Sequence, residues 1–215
     1  MKDAPILVCF ALKEEAKYFS APTTRGGCEK RITGMGGQNA TDGIRKAIAA
    51  LHPRLVITAG YAGGLNPELA NGTIVFDTDS ELESTLGTKL LAADAIPVKF
   101  HCADCVAVNA SEKQVLWQLT GADAVEMESA VIREVCREHK IPSATVRVIS
   151  DAAQENLPLD FNELMTAKYR INFVKLALRI ASQPAKIPEL MRFQKQTLAA
   201  SQRLGEALEK SLRGF

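Results

Sequence analysis

The sequence predicts an α/β fold built around one hydrophobic core. The main observation is the stretch Gly121–Asp151, in which an apolar run, a helical pattern and a buried strand follow one another. Acids follow both strands of this unit, Glu126 and Glu128 after the first and Asp151 after the second. The chain has 215 residues, 47% of them hydrophobic, which suits a single globular domain with a sizeable core. Because α/β enzymes build sites where neighbouring strands end, we expect these carboxylates at one edge of the sheet.

Composition argues against several classes of function. The formal net charge is +1, so there is no overall basic field that would attract nucleic acid. The five cysteines are scattered singly or in one short pair, which favours reduced thiols over a disulfide framework. The apolar run Ile6–Leu12 is too short to span a membrane and lacks a signal-peptide cleavage pattern. We therefore expect a cytoplasmic protein without a nucleic-acid partner.

Strands and helices are predicted to alternate through the first half of the chain. Acids in a first turn suit the helix macrodipole, so Lys13–Ala16 is expected to open a helix, and position alone favours that capping role for Glu14 and Glu15. The other predicted elements are a strand over Pro5–Leu12, a short strand over Arg31–Thr33, a helix over Asn39–Leu51 and a strand over Pro53–Ala59.

Two glycine-rich stretches follow predicted strands. Gly34–Gly37 resembles a dinucleotide-binding turn, but Asn39 stands where the third glycine belongs, and no acid ends the next strand. A dinucleotide-dependent oxidoreductase is therefore disfavoured. Gly60–Gly64 is dense in small residues at a strand end, which favours close approach of the backbone to a ligand.

The second half continues with a strand over Gly72–Phe76 and a polar, then helical, segment over residues 77–93. The predicted strand Val98–Val108 contains three residue types that can bind zinc, at His101, Cys102 and Cys105. A structural zinc site needs four ligands, and the remaining cysteines fall singly at distant positions, so we expect strand cysteines and no metal. Helices are predicted from Asn109 through Leu119, over Phe161–Ala181 with Asp160 as the cap, and over Ile187–Leu212.

The last helix is amphipathic and follows two proline breaks. We expect one globular domain over residues 1–183 and a C-terminal helical extension over residues 184–215. The helix packs on the domain or on a partner subunit, and peripheral membrane contact is the minority alternative. Its apolar side carries Leu190, Met191, Leu198, Leu204, Leu208 and Leu212, and its basic side carries Arg192, Lys195, Arg203, Lys210 and Arg213.

Four motifs occur in the order and spacing of the purine nucleoside phosphorylase superfamily. They are ALKEEA at Ala11–Ala16, TAGYAGGL at Thr58–Leu65, VEMES at Val125–Ser129 and VRVISDAA at Val146–Ala153. The specific part is V-E-M-E-S followed about twenty residues later by an I-S-D strand end; the glycine turns alone would be weak. The chain resembles this superfamily over roughly residues 5–165, and within it the methylthioadenosine/S-adenosylhomocysteine nucleosidases and the hopanoid-associated phosphorylase-like proteins.

The resemblance implies a central twisted mixed sheet flanked by helices, a homodimer, and cleavage of the bond between a purine and ribose. The family's ribose-binding glutamate falls on Glu128, its purine-protonating aspartate on Asp151, and the water-activating glutamate of its hydrolytic branch on Glu15. The methionine under the ribose falls on Met127, and the aromatic that closes the 5′ side falls on Phe161. The other expected substrate-binding positions are Tyr61, Ala62, Gly63, Val106, Glu126, Arg147 and Ser150. Neither a metal nor a cofactor is expected.

The chemistry gives the three carboxylates distinct roles. An N-ribosyl bond breaks through an oxocarbenium-like sugar, so the leaving base needs a proton at N7, for which Asp151 is the candidate. Burial beside the carboxylate of Glu128 is expected to favour that proton on Asp151. Glu128 supplies negative charge near the sugar, and Glu15 orients and deprotonates water.

Water is the expected nucleophile. Phosphate needs arginines and backbone donors, which the family's phosphorylases supply in a loop after the first strand. This chain has Lys13, Glu14 and Glu15 there, and a carboxylate beside a phosphate dianion is repulsive. Phosphorolysis is the alternative within the same class, and a non-catalytic nucleoside-binding protein is the alternative from another class.

Three departures from the nucleosidases affect the substrate prediction. Tyr61 stands where the family has serine or threonine, so a phenol is expected to narrow the pocket beside the nucleophile. Val106 lies near the position of a base-stacking phenylalanine. The segment between Phe76 and Val98 is shorter than in the nucleosidases, so a more open 5′ side would admit a large substituent. An adenosyl-lipid, reached through membrane contact of the C-terminal helix, is therefore a further alternative.

Overall fold

The computed structural model describes residues 4–166, 168–169 and 171–215. Within these residues, eight strands form one mixed sheet, and helices cover both of its faces. The strands are β1 (Ile6–Phe10), β2 (Cys28–Ile32), β3 (Leu55–Gly64), β4 (Ile74–Thr78), β5 (Ile96–Pro97), β6 (Phe100–Cys102), β7 (Ala124–Glu126) and β8 (Ser143–Asp151). The α-helices are α1 (Gly37–Leu51), α2 (Thr88–Leu91), α3 (Ala110–Thr120), α4 (Ser129–Glu138), α5 (Phe161–Leu164), α6 (Phe173–Ser182) and α7 (Ile187–Leu212). A 3₁₀ turn and a π-turn (Ser80–Leu82, Glu83–Gly87) precede α2, and a 3₁₀ turn (Pro184–Lys186) precedes α7.

The sheet combines parallel and antiparallel pairs. Its order is β2-β1-β3-β8-β4-β5, in which β2, β1, β3 and β8 run parallel and β4 runs antiparallel to β8. The end of β3 also pairs antiparallel with β7, which in turn pairs parallel with β6. This architecture confirms the predicted α/β fold with a mixed sheet flanked by helices.

The central strands are apolar throughout because both faces of the sheet are covered. Side chains alternate between the faces of a strand, and β1 shows the consequence. Its residues Ile6, Val8 and Phe10 pack in the core shared with α2 and α7. Leu7 and Cys9 pack in the core shared with α1 and α4.

Helix α7 has the predicted bounds, and its two halves differ in environment. Leu204, Leu208 and Leu212 are fully buried in the core beneath the sheet, whereas Met191 near the start is 55% exposed. The basic side also contacts the domain: Arg203 donates to the carbonyl of Gly72, and Lys210 to that of Ala92. The C-terminal half of α7 therefore belongs to the same core as the sheet, while a boundary near residue 183 stays a prediction. Within the described residues, no helix has both the length and the apolarity that crossing a bilayer requires.

The prediction that Lys13–Ala16 opens a helix was wrong. Residues 13–18 form turns instead, closed by bonds from Lys17 N to Glu14 O (3.4 Å) and from Phe19 N to Ala16 O (3.3 Å). The ammonium of Lys30 also donates to Ala16 O (3.2 Å) and Phe19 O (2.9 Å), so a side chain from β2 binds carbonyls of these turns. Tertiary contacts thus override the first-turn pattern of acids.

The predicted continuous helix over Phe161–Ala181 was also wrong. Asp160 caps α5 as expected, accepting from Asn162 N (2.8 Å), but α5 ends at Leu164. An antiparallel bridge between Met165 and Ile171 follows, and Asn172 caps a new helix, α6. An asparagine side chain that bonds to backbone amides competes with helix continuation. Residues 167 and 170 of that prediction lie outside the described residues.

Two further predictions are corrected by the strand bounds. Residues Gly60–Gly64, expected as a turn after a strand, are part of β3, which continues along two neighbouring strands. The strand expected over Val98–Val108 is reduced to the three residues of β6, Phe100–Cys102, and β5 lies just before the predicted range. Cys102 ends β6 as a strand residue, whereas Cys105 is exposed beyond it; both thiols are free.

The close packing of α7 gives a stability prediction at Gly205. A methyl group there would lie 2.6 Å from the carbonyl oxygen of Tyr18. That oxygen belongs to the backbone, so it cannot move away by a rotamer change. Alanine is favoured over glycine in helices by about 1 kcal/mol. We nevertheless expect Gly205→Ala to lower the free energy of unfolding by about 1–3 kcal/mol, because overpacking outweighs propensity. Urea unfolding of the variant and the wild type measures this difference in free energy.

The matched control is Gln202→Ala, at an exposed position of the same helix. It should change stability by less than about 0.5 kcal/mol. If Gly205→Ala is more stable than the wild type, α7 is not packed closely against the backbone of Tyr18.

Candidate active site

The register of β3 brings the ends of two other strands together. Gly63 lies opposite Val125 of β7 on one side and opposite Asp151 of β8 on the other. Farther back on β3, Gly60 lies opposite Arg147 of β8. The acids that follow β7 and end β8 therefore meet at one edge of the sheet, as the sequence predicted.

The centre of this edge is the buried guanidinium of Arg147, which is 1% exposed. Its Nη2 donates to Glu126 Oε2 (2.5 Å) and to Thr58 Oγ1 (3.1 Å). The same nitrogen lies 3.6 Å from Glu128 Oε2. One cation thus faces carboxylates on both sides of the β7–α4 turn.

Glu126 holds that turn together. Its oxygens accept from Ser129 Oγ (2.6 Å), Ser129 N (2.8 Å) and Glu128 N (3.0 Å), in addition to Arg147. Burial alone would raise the pKa of Glu126, but the guanidinium and these donors outweigh it and lower the pKa below its usual range. Both oxygens are occupied by protein donors, so a direct contact of Glu126 with substrate stays a prediction.

Glu128 has the opposite electrostatic balance. Its Oε1 accepts from Gly36 N (2.9 Å), in a turn where Gly36 has φ 82°, a backbone angle that favours glycine. Burial, reinforced by the negative charges of Glu126 and Glu15 and opposed by Arg147, raises the pKa of Glu128 to about 7. A carboxylate with such a pKa exchanges a proton near neutral pH.

Glu15 is held by backbone amides after β1. Its Oε2 accepts from Leu12 N (2.8 Å), and its Oε1 accepts from Tyr61 N (2.9 Å). Burial raises the pKa of Glu15 above its usual range, although Arg147 and the amides oppose the shift. A methyl group on Gly60 would lie 2.5 Å from both Glu15 Oε1 and Arg147 Nη1, so only glycine allows this approach.

Asp151 has a partner that the sequence did not predict. Its Oδ1 accepts from Ser150 Oγ (2.6 Å), and its Oδ2 lies 2.5 Å from the ammonium of Lys113 on α3. We expected the carboxylate of Glu128 to be the neighbour that determines the charge state of Asp151. The structure places a cation there, and the contacts of Glu128 are to Gly36 and Arg147 instead.

The remaining predicted residues of β3 and β7 line the same edge. The phenol of Tyr61 donates to Thr197 O (3.2 Å) and bonds to Ser201 on α7, and burial raises its pKa to about 12. Tyr61 therefore contacts Glu15 through its amide while its phenol is bound to α7. Ala62 and Met127 are buried, and the carbonyl of Ala62 accepts from Ser150 Oγ (3.3 Å).

The loop that carries Val106 is bound to α5, the helix that begins with Phe161. The side-chain amide of Asn162 accepts from Val106 N (2.9 Å) and donates to Val106 O (2.9 Å), which fastens α5 to the loop after β6. The ring of Phe161 packs on that of Phe193 from α7, with centroids 5.9 Å apart. A bond from Leu157 N to Val108 O (2.8 Å) joins this loop to the one that follows Asp151.

Sequence reasoning missed two residues at this edge. Lys113 looks like any exposed lysine of an amphipathic helix, and only its buried position reveals its contact with Asp151. Tyr169 packs its ring on Gly36, where an added methyl group would lie 2.8 Å from Cδ2, and its hydroxyl donates to Asp104 O (3.2 Å). The glycine turn at residues 34–37 was the available signal for a close approach here.

Comparisons with known proteins agree with this geometry. A family model described as the phosphorylase superfamily matches residues 97–182. The chain is 25% identical to a 5′-methylthioadenosine/S-adenosylhomocysteine nucleosidase of Exiguobacterium sp., over 70% of this chain and 78% of the relative. It is 27% identical to the nucleosidase of the same description from Glaesserella parasuis, over 62% of this chain and 71% of the relative.

A solved structure shares the whole fold. The futalosine hydrolase of Helicobacter pylori superposes with a TM-score of 0.68 at 17% identity, over 97% of each chain. At that identity the likeness concerns the fold alone. It confirms the nucleoside phosphorylase-like architecture that the four motifs implied.

The raised pKa of Glu128 gives a testable dependence of stability on pH. Its folded-state pKa, about 7, lies above its usual value of 4.5, so between these values the folded state binds more protons than the unfolded chain. Stability contributed by this group is therefore present at low pH and is lost as pH rises through that window. Glu128→Gln should remove that loss, which is on the order of 3 kcal/mol.

The measurement compares urea unfolding of wild type and Glu128→Gln at pH 4.5 and pH 8. Glu68→Gln, an exposed position, serves as the control and should keep the wild-type difference. If Glu128→Gln also keeps that difference, Glu128 is not the buried group that titrates.

Proposed function

We propose that this chain, whose residues 97–182 match the phosphorylase superfamily model, is a nucleosidase that hydrolyses the N-glycosidic bond of an adenine nucleoside. The observation that carries the proposal is that three buried carboxylates, those of Glu15, Glu128 and Asp151, lie at or just after the ends of β1, β7 and β8, strands that all pair with β3. The nucleosidase relatives named above support the reaction. Methylthioadenosine, S-adenosylhomocysteine and other 5′-substituted adenosines are the proposed substrates.

The three carboxylates divide the reaction between them. Asp151 gives a proton to N7 of the leaving purine, so that the base does not depart as an anion. Glu128 binds the ribose hydroxyls above Met127 and stabilises the positive charge that develops on the sugar. Glu15 takes a proton from the attacking water. Burial raises the pKa of Glu15, so its carboxylate is a stronger base than an exposed one.

We propose water rather than phosphate as the nucleophile. A phosphate dianion needs arginine donors, and Nη2 of the buried Arg147 is already bound to Glu126 and Thr58. Glu15, turned inward beside Gly60, would also repel it. Phosphorolysis is the alternative for the same site, and nucleoside binding without turnover is the alternative of another class.

We propose separate binding regions for the base, the sugar and the 5′ substituent of the substrate. The base lies toward Asp151, Ser150 and the loop at Val106, and the 5′ substituent lies toward Phe161. The sugar side includes Ala62, Gly63, Arg147 and the backbone of Tyr61. No metal or cofactor takes part in the steps proposed. Water and a small nucleoside are sufficient reactants.

We propose that the enzyme works as a cytoplasmic homodimer. The five cysteines are free thiols, which suits a reducing compartment. Exposed apolar side chains on α3, namely Val115 (52%) and Leu119 (78%), support a subunit contact.

We also propose peripheral membrane contact through the C-terminal helical extension, with the preceding helix α6 as part of the contacting surface. The apolar side chains of α7 are buried in its second half, whereas Phe173 (76%), Val174 (70%) and Leu178 (66%) of α6 are exposed. Residues 171–195 carry five basic residues and one acidic residue. Exposed apolar groups beside basic ones suit an anionic bilayer surface and a substrate with a lipid 5′ substituent.

The function is tested by adenine release from methylthioadenosine, S-adenosylhomocysteine and 5′-deoxyadenosine, each with and without phosphate. We expect free adenine and free sugar without phosphate. Glu15→Gln should bind substrate yet lower kcat by about 10²–10⁴-fold, because it removes the base. Glu14→Gln, its exposed neighbour, is the matched control and should keep wild-type activity.

Release only in the presence of phosphate, with a sugar 1-phosphate as product, would contradict the hydrolytic proposal. Binding of all three nucleosides without release would favour a binding protein. Wild-type turnover by Glu15→Gln would remove Glu15 from the role of base.

Membrane contact is tested by cosedimentation with vesicles of phosphatidylglycerol or of phosphatidylcholine. We expect binding to the anionic vesicles and its loss in the variant Phe173→Ser/Val174→Ser/Leu178→Ser, because the exposed apolar groups of α6 are gone. Leu119→Ser, an equally exposed leucine on α3, is the control and should still bind. Wild-type protein that stays in the supernatant would exclude this surface as a membrane contact.

A further inference from the structure

We propose that Lys113 is a positioning residue for the acid step, holding Asp151 in a buried ion pair and thereby setting the pH range over which the leaving base is protonated. The proposal rests on the proposed function of Asp151. It concerns a residue that none of the four motifs contains.

The ammonium of Lys113 has a complete set of partners. It lies 2.5 Å from Asp151 Oδ2 and donates to Ala152 O (2.8 Å) and Glu155 O (3.0 Å), and the side chain is 0% exposed. An ammonium has three N–H donors, and these three acceptors use all of them. A side chain without N–H donors would leave these buried acceptors without this partner.

The fold makes room for this pair. Gly63 of β3 lies beside it, and an added methyl group would be 3.3 Å from Asp151 Oδ2 and 3.8 Å from Lys113 Cε. Helix α3 is fixed at its start by Asn109, whose side chain accepts from Glu112 N (2.9 Å). A bond from Ala110 N to Asn156 Oδ1 (2.9 Å) joins the helix to the loop after Asp151. Both partners of the ion pair are therefore held by their own elements.

The other elements around the pair contribute one charged side chain, that of Glu155. Its Oε2 accepts from Ala152 N (3.3 Å), Asn71 Nδ2 (2.8 Å) and Gln196 Nε2 (3.1 Å). Helix α7 contributes the uncharged Gln196, which also donates to Ser150 O (2.8 Å). β3 presents Gly63 and β7 presents Val125. Lys113 is thus the cation in direct contact with Asp151 among the described residues.

An adjacent cation acts on the acid step through the charge that Asp151 gains. As the C1′–N9 bond breaks, its electron pair goes to the purine, the proton of Asp151 moves to N7, and Asp151 becomes a carboxylate. Lys113 lies beside that carboxylate and stabilises its negative charge, so it favours the transfer of the proton to the base. Removing the cation should therefore lower kcat and change the pH profile of the reaction.

The experiment is the pH profile of kcat for adenine release, in wild type, Lys113→Met and Lys113→Arg. We expect the alkaline limb of the Lys113→Met profile to lie at a higher pH than in wild type, with kcat on the acidic plateau reduced on the order of tenfold. Lys113→Arg keeps the charge and should keep the wild-type limb. KM should change little.

Lys99→Met is the control, because it makes the same substitution at an exposed lysine. It should keep both the wild-type limb and kcat. If Lys113→Met does not fold, Lys113→Gln replaces it, since the amide can still donate to the backbone carbonyls and carries no charge.

The outcomes separate this proposal from the proposed function. A wild-type protein that releases no adenine contradicts the function itself. An active, folded Lys113→Met or Lys113→Gln with the wild-type alkaline limb overturns the role of Lys113 alone. A double-mutant cycle with Asp151→Asn, read from urea midpoints, adds a readout that needs no activity. Additive effects would show that the two residues are not paired, and would also overturn the proposal.

Discussion

The site depends on one buried interaction, the bond between the guanidinium of Arg147 and the carboxylate of Glu126. Arg147 projects from β8, and Glu126 ends β7, so their bond ties together two strands that both pair with β3. Glu126 in turn binds the amides of Glu128 and Ser129 and so sets the course of the chain into α4. Breaking such a buried pair typically costs 3–5 kcal/mol, because one charge is left without a partner.

Charge is distributed unequally around this bond, and the inequality is what makes the edge of the sheet reactive. One guanidinium cannot neutralise three carboxylates in a medium of low polarity. The pKa of Glu126, which contacts Arg147 directly, is lowered, whereas the pKa values of Glu15 and Glu128 are raised. Raised pKa values of buried acids lower the stability of the folded state near neutral pH, and other interactions in the fold offset that loss. Asp151 lies outside this cluster and has its own cation, Lys113.

The helices around the site combine firm packing with exposed surface. The second half of α7 is part of the core and receives the phenol of Tyr61, so the C-terminal helix positions β3 as well as covering it. Helix α6 lies outside that core and has no buried residue among those described. A fold whose last helix is anchored at one end can present apolar side chains at the other without loss of its core.

The sequence alone determined the elements whose burial or capping is local. Central strands were predicted because both of their faces are buried and they are therefore apolar throughout, and α7 was predicted with its observed bounds from its periodicity. The spacing of the acids after β7 and β8 predicted that they would meet. Tertiary structure alone decided the turns at Glu15 and the partner of Asp151. Each of these depends on a side chain from a distant element, namely Lys30 and Lys113. Contacts between distant elements leave no periodic pattern in the sequence, so local sequence patterns cannot predict them.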